Sequence, residues 1–146
     1  MPDKPTMTKI DYEVLAEFRY TLRLFDHFSV AAIGKVGLTP QQHQALLAIK
    51  GFPGREQITI RELADRLQIR HHSAVGLVNR LESENLIIRS PAPNDRRKVF
   101  ISLTEHSRSI LERLSITHRE ELLQLAPRLR LLLRRLSRLS EGEPRP

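Results

Sequence analysis

From residue 11 to about 33, apolar or small side chains fall at Leu15, Phe18, Leu22, Phe25, Ser29 and Ala32, in alternating steps of three and four. That period predicts a long amphipathic helix. The tail carries the same stripe at Leu122, Leu125, Leu129, Leu132, Leu136 and Leu139, widened by Leu131 and Leu133, with arginine opposite. Pro127 lacks the amide donor that a helix interior needs, so the tail is expected to break or kink into one helix from about Thr104 and another from about Ala126. Two such stripes exceed what one small domain readily covers. Either they form a helical dimer interface, centred on Leu15, Phe18, Leu22, Leu129, Leu132 and Leu136, or they close as an internal bundle.

Between these stripes the pattern shortens. Thr39 before Pro40 is a helix start, an acceptor at the N-cap and a proline at the first helical position, and this helix should run to about Lys50. Gly51, Pro53 and Gly54 end it, and residues 57–59 suit one short strand. Thr59 and Glu62 then form a T-x-x-E capping box opening a helix over 60–67, with Leu63, Ala64 and Leu67 inward. A tight turn at 68–70 leads to a helix over about 71–84, whose buried stripe is Ala74, Leu77, Val78 and Leu81. Two short helices joined this closely are a helix-turn-helix candidate, with Ile69 plugging the angle and small Ala64 allowing a close crossing. Asn85 suits the left-handed residue that stops the second helix.

Leu86, Ile88, Val99, Ile101 and Leu103 alternate with Ile87, Arg89, Phe100 and Ser102, which predicts two strands around the loop S-P-A-P-N-D-R-R-K. The result is a β-hairpin with a long basic tip. The expected fold is therefore mainly α with a small β-hairpin wing. One domain over 8–140 would hold a winged helix-turn-helix core at about 39–104 and dimerisation helices at about 8–34 and 104–140, with 1–7 and 141–146 loose.

Composition narrows the function. The 146 residues suit one domain with a core that needs no metal or disulfide, so stability calls for no cofactor. With no cysteine, thiolate metal sites, thiol redox sensing and cysteine nucleophiles are excluded. No signal-peptide pattern opens the chain and no apolar run reaches 18 residues, so a cytoplasmic protein without a membrane partner is expected. Lys plus Arg number 24 against 17 Asp plus Glu, a net charge of +7, and all but five of the cations are Arg, whose planar fork suits phosphate and guanine edges. Neither a G-x-S-x-G elbow nor a G-x-x-x-x-G-K loop is present, and adjacent Glu120 and Glu121 diverge on a helix, so an enzyme is not expected.

Arrangement adds to charge. The outer face of the second short helix should carry His72, Val75, Gly76 and Asn79, with His71 and Ser73 in the first turn and Arg80 on the flank. Asn can pair with adenine, Val can meet a thymine methyl, Gly lets the backbone approach, and Ser or Arg can reach phosphate. In the hairpin tip Asp95 precedes Arg96, Arg97 and Lys98, so one cation can be braced by the carboxylate while another projects into a narrow minor groove. Double-stranded DNA is the expected partner, read by sequence or coated without regard to it. His27, His43 and His118 fall on three helices and could meet a carboxylate or simply be locally bonded. No H-x-x-x-H pair supports a metal site.

These segments resemble the MarR family of bacterial winged helix-turn-helix transcriptional regulators over nearly the whole chain. LTPQQHQALLAI is similar to its second helix, ITIRELADRLQIRHHSAVGLVNRLESENLIIR to its helix-turn-helix and first wing strand, and DRRKVFISLTEHS to its D-x-R wing signature. The resemblance implies that Asp95 and Arg97 are the wing's salt-bridged pair and tip arginine, and that 71–80 lies in the recognition helix. It also implies a homodimer joined by the terminal helices on a palindromic operator. A small aromatic or acidic effector that releases DNA is implied for many members, with His27, His43 and His118 as candidate contacts. Val75 and Gly76 stand where polar or basic residues are common, which shifts weight from base contacts toward shape readout by the wing.

Overall fold

The computed structural model of the chain describes residues 6–140, with side chains through 138. The expected loose ends at 1–5 and 141–146, and the Leu139 side chain, lie outside the described residues. The elements are α1 (Lys9–Lys35), α2 (Pro40–Lys50), β1 (Ile58–Thr59), α3 (Ile60–Leu67), α4 (His71–Ser83), β2 (Ile87–Ala92), β3 (Asp95–Leu103) and α5 (Glu105–Ser140). They fall into two compact units, Val30–Ile116 and a terminal unit of Met1–Ser29 with Thr117–Pro146.

Local hydrogen bonding fixes the helix starts. Thr39 Oγ1 accepts from the Gln42 N–H at 3.1 Å while Gln42 Oε1 accepts from the Thr39 N–H at 3.0 Å, and Thr59 and Glu62 repeat this at 3.2 and 3.1 Å. A third box, not foreseen, opens α1, where Asp11 Oδ2 accepts from the Thr8 N–H at 2.6 Å. Gln68 and Asn85 take the left-handed conformation, with φ of 52° and 58°, and turn the chain out of α3 and α4.

In the central unit, Leu46, Ile49, Leu63, Leu77, Val78 and Leu81 are shut off from solvent with Ile58 and Ile101 of the sheet, and Ile69 packs on this core from the turn. The sheet runs β1-β3-β2, all antiparallel. The hairpin differs from the sequence expectation in length and phase. The supposed long loop is mostly strand: β2 and β3 pair as far as Ala92 with Asp95, with an irregularity at Pro91/Ala92, leaving Pro93 and Asn94 as the turn. Ile87 pairs with Leu103 and Arg89 with Ile101, so Ile88 is on the opposite face and is 51% exposed. Leu86 is buried as a turn residue, its N–H bonded to Leu81 O at 2.8 Å, before the strand begins. The period-2 stripe thus starts one residue later than the sequence suggests.

In the terminal unit α1 and α5 run antiparallel. His118 Nε2 lies 2.7 Å from Ser29 Oγ, and towards the other end Arg128 pairs with Glu17. Val14, Thr21 and Leu132 are buried between them. The expected break at Pro127 does not occur, and α5 is one helix through it. Proline removes the amide that would bond to the Leu123 carbonyl, but Leu123 is 65% exposed, so water can satisfy that oxygen. The buried Leu132 and the Arg128 ion pair hold the turn that follows.

Candidate nucleic-acid interface

Burial along α4 matches the expected phase. Ala74, Leu77, Val78 and Leu81 are buried, while His71, His72, Ser73, Asn79 and Arg80 are exposed and Val75 and Gly76 are half-exposed. The N-cap residue Arg70 gives α4 no side-chain cap, unlike Thr39 and Thr59 for α2 and α3, so the first-turn N–H groups have no side-chain acceptor there. Such donors suit an oxyanion. A Cβ at Gly76 would meet nothing closer than Arg80 Nη1 at 3.8 Å, so the glycine is not required by packing within the chain.

The wing's Arg96, Arg97 and Lys98 are exposed and form no ion pair among the described residues. The expected Asp95–Arg97 salt bridge is absent. Asp95 Oδ1 instead accepts the Arg97 backbone N–H at 2.9 Å, so the carboxylate shapes the turn and leaves the guanidinium free. A short carboxylate two residues from an amide reaches that amide more readily than it reaches the end of a long side chain pointing away.

Between the first turns of α3 and α4 and the wing lies a concavity of about 630 Å³ whose walls include Arg61, His71, Arg89, Arg97 and Lys98. Glu62, also there, is committed. Burial alone would raise its carboxyl pKa, but the Thr59 N–H and the Arg55 guanidinium outweigh this and hold it below the ordinary value of 4.5. Arg55 in turn lies over the rings of Phe52 and Phe100, at 4.8 and 5.9 Å. The concavity therefore presents cations to solvent, and an anionic strand entering it meets no uncompensated carboxylate from Glu62.

Arg61 and Arg89 join this surface although sequence reasoning passed over them. Arg61 follows the capping threonine by two residues, a position from which a side chain leaves the helix start. Arg89 was concealed by the one-residue shift of phase. It lies on the same face of β2 as buried Ile87, donates to Asn79 Oδ1 and lies 3.2 Å from Glu82 Oε2.

The other candidates are distributed differently. Leu15 and Leu22 are exposed at 44% and 37%, Phe18, Leu129 and Leu136 are half-buried, and Leu132 is 2% exposed. Leu132 is therefore covered within a single chain, which corrects its assignment to an intersubunit face. Leu131 and Leu133, which widen the tail stripe, and Tyr12, which lies outside the α1 stripe, are exposed apolar side chains. His27 is exposed, whereas His43 and His118 are buried. His118, bonded to Ser29, also has Phe25 and Phe28 edge-on, with ring centroids at 5.8 and 6.1 Å. Among the described residues no three His, Cys, Asp or Glu side chains cluster as metal ligands, and no helix is long and apolar enough to cross a membrane.

A helix-turn-helix followed by a basic antiparallel hairpin defines a winged helix-turn-helix protein. Residues 36–98 match the family model described as "MarR family". Among curated proteins the chain is 31% identical over 104 residues to the HTH-type transcriptional repressor MdtR of Bacillus subtilis, covering 63% of this chain and 65% of that one. It is 32% identical over 76 residues to the homoprotocatechuate degradative operon repressor of Escherichia coli, covering 52% and 49%. The chain thus spans about half to two thirds of the length of the curated relatives it matches. These relatives are transcriptional regulators, not enzymes. Among solved structures, RV1404 from Mycobacterium tuberculosis superposes with a TM-score of 0.71 at 21% identity, covering 99% of this chain and 100% of that one. A mutant of MarR from E. coli complexed with operator DNA gives 0.64 at 22%, covering 85% and 93%. At these identities the structures establish the fold.

Proposed function

We propose that the chain is a sequence-specific, double-stranded DNA-binding transcriptional repressor, a homodimer acting on a palindromic operator in the bacterial cytoplasm. One observation carries this: a single unit exposes the polar face of α4 beside three wing cations that have no carboxylate partner among the described residues. α4 enters the major groove, with His71, His72, Ser73 and Arg80 near the backbone and Val75, Gly76 and Asn79 toward base edges. Arg96, Arg97 and Lys98 reach the flanking minor groove, where narrow width concentrates negative potential.

Exposed Leu15 and Leu22, two turns apart on α1, and exposed Leu131 and Leu133, flanking buried Leu132 on α5, support the dimer, because large apolar side chains left uncovered among the described residues mark an interaction surface. Two-fold symmetry then sets the half-sites about 34–36 Å apart. A sedimentation profile showing monomer at micromolar concentration would refute the assembly. Release by a small aromatic or acidic effector is the regulatory step we assign, with exposed His27 as the carboxylate contact. The relative named for the homoprotocatechuate degradative operon supports an effector of that chemistry. Loss of aromatic-acid release in His27→Ala, with DNA affinity retained, is the expected result, and unchanged release rules out His27 as the effector contact.

The half-exposed Val75 and Gly76 at the centre of α4 offer no side-chain hydrogen bonds to bases, and this favours a second reading, a DNA-coating protein indifferent to sequence. Selection of bound duplexes from a random pool near physiological salt separates the two. A regulator enriches a pseudo-palindrome and binds it roughly 10³–10⁷ times more tightly than random duplex. An unenriched pool, with affinity set by salt alone, refutes the specific reading.

A further inference from the structure

Asn79 on α4 and Arg89 on β2 are tied by a hydrogen bond from the guanidinium to the amide oxygen. A guanidinium carries donors only, so the chemistry fixes the amide's orientation. The oxygen faces Arg89, and the NH₂ on the same carbon is directed away from it. Glu82, three residues beyond Asn79 on the same helix, lies 3.2 Å from Arg89 Nε. Arg89 is itself half-buried on the core-side face of its strand, paired across the ladder with Ile101. The guanidinium is thus held by the strand below it and by a carboxylate and an amide above it, while Asn79 is exposed.

We infer that Arg89 is a positioning residue for base recognition, setting Asn79 to read acceptor edges, guanine above all. This rests on the DNA-binding function proposed above. Bidentate pairing of Asn with adenine needs the amide oxygen to accept from N6 while the nitrogen donates to N7. Here a charged donor already takes one of that oxygen's two lone pairs and turns the oxygen toward Arg89, and charge-assisted bonds are the stronger ones. What Asn79 directs away from Arg89 is its pair of N–H donors, and guanine presents two adjacent acceptors, N7 and O6, in the major groove. The expectation from the asparagine alone, adenine, changes once its neighbour on β2 is included.

The test is selection from a random duplex pool with the full chain, repeated for Asn79→Ala, Arg89→Met, Arg89→Lys and the double variant Asn79→Ala with Arg89→Met. The position lost in Asn79→Ala is the one Asn79 reads, and in the unmodified protein it should be guanine. Arg89→Met should flatten that position from a preference of about 5- to 150-fold to within about twofold, or move it to adenine, with the rest of the motif retained. Arg89→Lys keeps a donor and should keep guanine, and Arg89→Met should change nothing further once Asn79 is alanine. Asn79→Asp adds a check at an exposed position that does not depend on the methionine variant folding. It keeps Arg89's partner, presents acceptors only, and should move the preference to cytosine. Adenine in the unmodified protein, guanine retained in Asn79→Asp, or a uniform loss of affinity with an unchanged motif in Arg89→Met each overturns the inference alone. A pool that the unmodified protein does not enrich overturns the DNA-reading function, and the inference with it.

Discussion

Arg97→Ala offers the sharpest test of the wing. The side chain is exposed and without an ion pair among the described residues, and the local turn is held by the Arg97 backbone N–H on Asp95, a bond alanine retains. The substitution therefore removes charge without removing shape. In a homodimer it removes two cations, and each phosphate neutralised by the protein contributes about 0.9 to the slope of log affinity against log salt. If both arginines neutralise a phosphate, the slope becomes shallower by about 1.8, and the advantage of the unmodified protein shrinks about 12-fold between roughly 50 and 200 mM salt. Fluorescence anisotropy with a labelled duplex, titrated at four or five salt concentrations, measures this directly. Asn79→Ala supplies the contrast within the same interface: a loss of about 1–3 kcal/mol confined to one base pair, with no change of salt slope. Parallel salt plots and equal affinities for Arg97→Ala would refute the wing contact.

Gly76→Ala separates stability from binding. With no atom closer than 3.8 Å to the added Cβ, the helix should gain about 0.5–1 kcal/mol in urea melts, whereas DNA affinity should fall if the backbone there approaches the duplex. Tighter binding would show that it does not. Leu77→Ala empties a site only 1% exposed on the buried face of α4 and should cost about 2–5 kcal/mol of unfolding free energy, and a loss under about 1 kcal/mol would contradict the packing described. Thr59→Ala deletes one half of the capping box of α3 and should cost about 0.5–2 kcal/mol near neutral pH. Because the folded Glu62 carboxyl lies below its ordinary 4.5, its contribution is present above that value and lost as pH falls through the lowered folded pKa. Thr59→Ala should therefore show a smaller acid-side loss than the unmodified chain, and identical pH profiles would count against the capping contribution.

What was legible in the sequence is what local chemistry decides. The capping boxes at Thr39 and Thr59 close between residues three apart, and Asn85 needs only its own φ of 58°, so motif and structure coincide there. The buried stripe of α4 was equally clear, because its core positions all have the right period and no competitor. The terminal stripes were less clear. Leu129, Leu132 and Leu136 share one helical row, yet Leu132 is buried within the chain while Leu131 and Leu133 are not. A stripe shows that a face is apolar, not which partner covers each residue. Pro127 was misjudged for a related reason: whether a proline ends a helix depends on what satisfies the freed carbonyl and what holds the next turn, and neither is adjacent in sequence.

The wing shows how such a gap reaches the functional surface. Leu86, Ile87 and Ile88 are three successive apolar residues, so alternation cannot decide which of them faces the core. The decision is made by pairing, Ile87 against Leu103, after Leu86 has already been used to close the turn from α4. Slipping the stripe by one residue would put Arg89 on the solvent face of the sheet, one more cation in a basic hairpin. In its actual register the same arginine lies on the core side, where it meets Asn79 and Glu82. The side chain expected to read a base is thereby constrained by a residue ten positions away, through a strand register that no local motif encodes. On the proposed reading, specificity in this surface belongs to the α4–β2 pair, and grafting the α4 sequence alone onto another winged helix should not transfer it.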